Sequence, residues 1–201
     1  MKSILVSHED QELAREPDAA ELGRAGGMSD SDAEVEYKKL VGRGSVLSMV
    51  SLGHLYEHRR LKDGGPNFAE SEFWYRSAVD SGSAVATFYC GCFYLRRSDY
   101  YKAKKMFQLG SDRGYAPSIV RLANLYIKGL GVERDYSRAK DLLARASELG
   151  NLWATLAAAT MTVTLSESVF VKVKGLGMVF FAAIKFRIEK WRHPESERLK
   201  K

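Results

Sequence analysis

The chain has 201 residues, of which 45% are hydrophobic, and it carries a formal net charge of +6. This length and apolar content allow one domain or one short repeat array with a buried core, which excludes a mainly disordered protein. The charge is uneven, with nine acidic and three basic residues in 1–34 but nine basic and four acidic residues in 167–201. The two ends therefore have opposite electrostatic characters.

The cysteines and the N-terminus both indicate a cytoplasmic protein. Cys90 and Cys92 are too few for a disulfide framework, and side chains two residues apart face nearly opposite sides of a helix. The first apolar run, residues 4–6, is far shorter than the roughly 7–15 apolar residues of a signal peptide. We therefore expect the chain to be made and kept in a reducing compartment.

Residues 1–30 are predicted to be a disordered acidic arm, with a transient helix as the alternative. They include Pro17 and the flexible sequence RAGG at 24–27, and they contain too few large apolar side chains to offset the entropy of ordering. Order is expected to begin near Ser31 and Asp32, because these side chains can cap the N-terminus of a helix.

Two short signatures recur along the rest of the chain. The first reads apolar, tiny, any residue, apolar and Tyr, and it begins at Leu52, Cys90 and Leu122. The second starts with a small residue, has large apolar residues three and four positions later, and ends on a glycine eleven positions after its start. It begins at Ser71, Ala103 and Ala139, and an upstream match begins at Ala33 and ends on Gly44. Because both keep the same order, an internal repeat organises the chain.

The spacing within the signatures predicts two helices per repeat. The tiny residue of the first signature lets a neighbouring helix approach closely, and the apolar residues of the second form one stripe. The final glycine is a helix C-terminal stop. We therefore predict an all-α fold, an α/α solenoid of stacked helical hairpins.

These residues resemble the Sel1-like repeat family, a relative of the tetratricopeptide repeats. The agreement is best over 116–151, where spacing and residue types match a whole unit. The resemblance implies a right-handed superhelix and scaffold or adaptor work, which bacterial members often perform in envelope or polysaccharide assembly or in signalling. The predicted array covers 31–165, with a half-unit at 31–45, units at 46–83, 84–115 and 116–151, and a half-unit at 152–165.

One stretch of the first unit matches a catalytic motif. His54-Leu55-Tyr56-Glu57-His58 fits H-x-x-E-H, in which two histidines bind zinc and the glutamate is the general base. The repeat signature already explains the residues around His54, and no downstream motif offers a third ligand. We therefore predict no catalytic residue, metal site or cofactor. A metal-dependent hydrolase that uses His54, Glu57 and His58 is the alternative.

Basic pairs such as Arg59-Arg60 raise the question of nucleic acid. Solvated helix faces and helix C-termini ordinarily carry such charges, and no recognition motif accompanies them. We therefore expect no nucleic-acid partner, with a basic RNA-binding module as a further alternative.

A protein partner is predicted instead, on a row along the first helix of each unit. At 100° per residue this row lies opposite the signature positions, and in related arrays it lines the concave groove. It is apolar for an open surface, which favours a partner helix or peptide, or the protein's own tail; burial of the row against itself is the alternative. The groove residues are Leu47, Val50, His54, Glu57, Val85, Phe88, Cys92, Leu95, Val120, Asn124 and Ile127.

The C-terminal segment, residues 166–201, is both basic and apolar. Its longest uncharged run, 175–184, is half of the roughly 20 residues that a membrane-spanning helix needs. It is either a helix that caps the solenoid or an in-plane anchor at the inner face of a membrane. As an anchor, Phe180 and Phe181 would enter the acyl boundary. The side chains at the anionic headgroups would be Lys185, Arg187 and Trp191.

Overall fold

The computed structural model describes residues 19–58 and 65–165, and residues 176, 177, 179–181, 183, 184, 187 and 188. These residues are helical apart from short connections, and none of them lies in a strand. The prediction of an all-α chain built from stacked helical hairpins is confirmed. The chain falls into two compact units, Met1–Tyr115 and Ala116–Lys201.

Consecutive helices pair into hairpins within each unit. In the first unit the described helices are α1 (Ala19–Ala25), α2 (Asp30–Gly42), α3 (Val46–His58), α4 (Phe68–Asp80), α5 (Ala84–Arg96) and α6 (Tyr100–Asp112). In the second they are α7 (Ala116–Lys128), α8 (Tyr136–Glu148) and α9 (Leu152–Leu165). Each helix packs against the next one along the chain in its unit, so α1–α2, α3–α4, α5–α6 and α7–α8 are hairpins and α9 lies on α8.

The glycine of the second signature ends the second helix of each hairpin, as predicted. These glycines have positive φ angles, of 94° at Gly44, 90° at Gly82, 77° at Gly114 and 83° at Gly150. After α2, the Gly44 N–H donates to the Val41 carbonyl at 2.9 Å and the Ser45 N–H donates to the Leu40 carbonyl at 3.0 Å. This pair of bonds satisfies the last carbonyls of a helix and turns the chain into the next hairpin.

Part of the predicted acidic arm, residues 1–30, is helical in the structure. Helix α1 lies inside that range and packs on α2. Ala25 is fully buried, and the Arg43 guanidinium donates to the Glu21 carboxylate at 2.8 Å. The N-cap of α2 is Ser29, two residues before the predicted Ser31.

A signal for α1 was present in the sequence. Leu22-Gly23-Arg24-Ala25 repeats the apolar, tiny, any, apolar start of the first signature but lacks its Tyr. A helix of seven residues is too short to be stable alone, so its order depends on packing against α2. Residues 1–18 lie outside the described residues.

The tiny position of the first signature is explained by close contact within each hairpin. A Cβ added at Gly53 of α3 would lie 2.8 Å from the ring of Tyr75 in α4. A Cβ added at Gly91 of α5 would lie 2.5 Å from the ring of Phe107 in α6. Carbon atoms do not approach so closely, so the backbone of the first helix is in direct contact with an aromatic face.

The α7–α8 hairpin fills the corresponding space with a different pair of side chains. Its residues at these two repeat positions are Ala123 and Leu143, which are both fully buried. Here a methyl group on the first helix accompanies a smaller side chain on the second. The two positions therefore share one volume, which must be filled to the density of a protein interior.

The Tyr of the first signature joins successive hairpins in the first unit. The Tyr56 hydroxyl donates to the Glu34 carboxylate of α2 at 2.7 Å. The Tyr94 hydroxyl donates to the Glu72 carboxylate of α4 at the same distance. Because the donor and acceptor are 22 residues apart in both pairs, this bond is a repeated feature of the stacking.

We predict that Gly91→Ala destabilises the protein and that Phe107→Leu partly rescues it. The added methyl group overpacks the α5–α6 contact, at a cost of about 1–3 kcal/mol. Because the double variant has the Ala and Leu pair of the α7–α8 hairpin, its loss of stability should be smaller than the sum of the two single losses. Urea unfolding of all four proteins measures this coupling, and strictly additive losses would contradict the shared volume.

Candidate functional site

The predicted row on α3 and α5 is only partly accessible. Its buried members, each at most 8% exposed, are Val50, Glu57, Val85 and Cys92. Its half-buried members are Leu47, Phe88 and Leu95, and its exposed member is His54. The neighbouring helices therefore cover about half of the row.

Phe88 belongs to the hydrophobic core at the start of the row. With Leu47, it packs against the buried cluster of Ala84, Val85 and Tyr115. Its ring centroid lies 5.9 Å from that of Tyr115, and the two planes are inclined at 73°. This end of the row therefore stabilises the first unit, and a change at Phe88 would disturb folding.

An ion pair occupies the opposite end of the row. Arg96 of α5 donates to the Glu57 carboxylate of α3 through Nε at 2.6 Å and through Nη2 at 2.5 Å. The Tyr75 hydroxyl of α4 donates to the same carboxylate at 3.2 Å. The side chain of Glu57 is 6% exposed and that of Arg96 is 47% exposed. A bidentate pair of this kind fixes α5 against the α3–α4 hairpin.

The ion pair changes the pKa values of its neighbours. Hydrogen bonding to the Glu57 carboxylate raises the pKa of Arg96. Burial raises the pKa of Tyr75 far above its ordinary value, and the charge of Glu57 adds to this rise. Tyr75 therefore stays protonated and acts as a donor to the carboxylate.

His54 and His58 form a stacked pair beside this carboxylate. Their ring centroids are 4.1 Å apart and their planes are inclined at 25°. Nδ1 of His58 lies 3.0 Å from the carbonyl oxygen of His54 on the same helix. Although His54 is exposed in part, loss of water around its ring lowers its pKa, and the charge of His58 lowers it further. His54 is therefore neutral at pH 7.

The arrangement does not resemble a zinc protease site. The catalytic glutamate of such a site must be able to accept a proton from water, but the Glu57 carboxylate already accepts hydrogen bonds from Arg96 and Tyr75. Within residues 19–58, 65–165 and the described part of 176–188, no three His, Cys, Asp or Glu side chains are grouped to hold a metal ion.

Sequence reasoning missed Arg96 and Tyr75 as partners of Glu57. Arg96 follows Leu95, the last residue of the row on α5, and Tyr75 belongs to the second signature. The available signal was a pair of opposite charges, Glu57 and Arg96. They lie near the ends of the first helices of two consecutive hairpins. Tyr75 reaches the carboxylate from α4, which packs against both α3 and α5.

The remaining predicted residues lie in the second unit. Val120, Asn124 and Ile127 are half-buried on α7. Phe180 and Phe181 are 70% and 69% exposed in helical residues near the C-terminus. Arg187 is also exposed, whereas Lys185 and Trp191 lie outside the described residues. None of the described helices is both long enough and apolar enough to cross a bilayer.

Comparison with known proteins identifies the repeat. The family model described as Sel1 repeat matches residues 46–83, 84–115 and 116–151. A comparison with curated proteins returns no match.

Two solved structures share the fold. A Sel1 repeat protein from Oxalobacter formigenes is 22% identical, with a TM-score of 0.57, over 74% of this chain and 61% of that one. A protective antigen with an SLR fold, present in uropathogenic Escherichia coli strains, is 19% identical, with a TM-score of 0.61, over 88% of this chain and 43% of that one. The chain therefore spans less than two thirds of the length of either structure.

We predict that replacing Arg96 lowers the stability of the protein more than replacing Glu57 does. Arg96→Met leaves a buried carboxylate with only the Tyr75 hydroxyl, at a cost of about 2–3 kcal/mol. Glu57→Gln leaves a half-exposed guanidinium that water can solvate, so its cost should be smaller, about 1 kcal/mol. Urea unfolding of the two variants and the parent checks the order, and a larger loss in Glu57→Gln would contradict it.

We also predict that His54 makes stability sensitive to pH. Its pKa in the folded protein is lower than its ordinary value of 6.5, so the unfolded chain binds more protons as the pH falls through 6.5. The contribution of the neutral His54 to the stability of the fold is therefore present above pH 6.5 and is lost below it. Between pH 7 and pH 5, the thermal midpoint should therefore fall less in His54→Gln than in the parent protein. Parallel pH profiles would contradict this assignment.

Proposed function

The chain belongs to the Sel1 repeat family, and from this premise we propose that it is a non-enzymatic adaptor that binds a partner helix or peptide. Sel1 repeat proteins are generally protein-interaction scaffolds. The observation that carries the proposal is the accessible end of the row on α3 and α5. There the exposed His54 and the half-buried Leu95 accompany the ion pair between Arg96 and the buried Glu57.

This accessible end offers both apolar contact and hydrogen bonding. Leu95 presents a half-buried aliphatic side chain. The guanidinium of Arg96 has five N–H donors, and the Glu57 carboxylate uses two of them. The others can bind a carbonyl or carboxylate of a partner. Because the ion pair already fixes Arg96, little side-chain entropy is lost on binding.

The surface on α7 is proposed as a second contact. Val120 and Ile127 supply apolar area, and Asn124 between them can both donate and accept hydrogen bonds. This combination suits a peptide backbone laid along a helix.

Attachment to the inner face of a membrane is proposed as a second function, with a cytoplasmic location. The exposure of Phe180 and Phe181 supports it, because two adjacent exposed phenylalanines form an apolar patch that suits an interaction surface. By analogy with bacterial members of the family, an adaptor placed there would serve envelope or polysaccharide assembly or signalling.

We predict that His54→Glu and Leu95→Glu each weaken capture of the same partner by about tenfold or more. Both changes place a negative charge at the accessible end of the row. Phe73→Glu is the matched control, because Phe73 is 57% exposed on α4 and lies outside the row. The measurement is affinity capture with the full chain as bait, followed by titration of the captured protein.

Circular dichroism of each variant checks that the helical fold is retained. Capture that is unchanged in both row variants would contradict the proposed site, and so would equal loss in Phe73→Glu. The α7 surface is tested separately with Asn124→Arg, which should weaken capture of the partner that this surface binds.

A further inference from the structure

An exposed apolar stripe runs along the C-terminal helical residues of the second unit. Leu176, Phe180, Ile184 and Ile188 follow one another at intervals of four and are 57%, 70%, 43% and 45% exposed. Side chains at this spacing lie on one side of an α-helix. Phe181, at 69% exposure, widens the stripe.

This stripe is the densest group of its kind among the described residues. It contributes five of the thirteen large hydrophobic side chains that are exposed there, within a span of 13 residues. Isolated exposed apolar side chains are normal at a protein surface, but a contiguous group marks a surface that is covered in the working state. What covers it must match both its shape and its charge.

The positive charge around the stripe favours binding to an anionic surface. Arg187 is exposed and lies three residues after Ile184 and seven after Phe180, which places it at the same side of the helix. Residues 167–201 contain nine basic and four acidic residues. An arginine at the edge of an apolar stripe can extend its guanidinium to phosphate groups while its aliphatic part stays in contact with apolar chains.

The other occupants fit less well. A second copy of the chain would bring its own basic segment against this one, and like charges would repel. A capping helix would bury Phe180 and Phe181 against the repeats, but both are about 70% exposed. A lipid surface with negative headgroups satisfies the apolar area and the positive charge together.

We propose that Leu176, Phe180, Phe181, Ile184 and Ile188 form the contact surface for an anionic phospholipid bilayer. The helical residues lie in the plane of the interface, with both phenylalanines in the acyl boundary and Arg187 at the phosphates. The uncharged run 175–184 is too short to cross a bilayer core, because a spanning helix needs roughly 20 apolar residues. This inference rests on the membrane attachment proposed above, and it adds the lipid class and the residues that enter the bilayer.

The test is flotation of the full chain with vesicles of phosphatidylcholine, alone or mixed with phosphatidylglycerol. We expect binding to the mixed vesicles that weakens as salt is raised, because the charges at the headgroups are screened. The double variant Phe180→Glu/Phe181→Glu should bind at least about tenfold less. Phe73→Glu is the control, since it changes another exposed aromatic residue, on α4, and should bind like the parent.

Any of the following four outcomes would overturn the proposal. Undiminished binding by the double variant shows that the phenylalanines do not enter the bilayer. Equal binding to the neutral vesicles removes the requirement for anionic lipid. A dilution-dependent dimer that the double variant loses assigns the stripe to a second copy, and a lower thermal midpoint in that variant assigns it to a cap. Partner capture in lipid-free buffer is measured in parallel, so failure of the lipid site is distinguishable from failure of the adaptor function.

Discussion

The direct contact between a helix backbone and an aromatic ring determines how the hairpins of the first unit are built. Gly53 and Gly91 have no side chain, so the rings of Tyr75 and Phe107 lie against the helix surface itself. This approach brings the two helices of each hairpin close enough for the rest of the signature to bury its apolar stripe. The glycine turns and the tyrosine–carboxylate bonds then set where the next hairpin begins and how it stacks.

Such close stacking also explains why the row on the first helices is not an open groove. Once α3, α4 and α5 pack tightly, the apolar side chains between them become part of the core, as Val50, Val85 and Cys92 show. A buried carboxylate in this position requires a partner, because removing a charge from water is costly. Arg96 and Tyr75 supply that partner, and the apparent catalytic motif becomes a structural ion pair.

The two ends of the chain differ in how their apolar residues are used. Helix α1 buries Ala25 against the array and extends the repeat toward the N-terminus. The helical residues between 176 and 188 instead expose Phe180 and Phe181. Similar helical segments therefore extend the core at one end and present a large apolar surface at the other, which is where interaction is expected.

The sequence by itself determined the hairpin architecture, the positions of the turns and the family. It could do so because these features depend on residues close in the chain: a glycine eleven positions after a small residue, or a tiny residue beside an apolar one. Helix α1 was missed because its signature is incomplete and its stability comes from packing on α2. Only the tertiary structure decided which residues of the row are accessible, since the pairing of Glu57 with Arg96 joins residues 39 positions apart. That contact depends on how closely successive hairpins approach, and no local pattern encodes this distance.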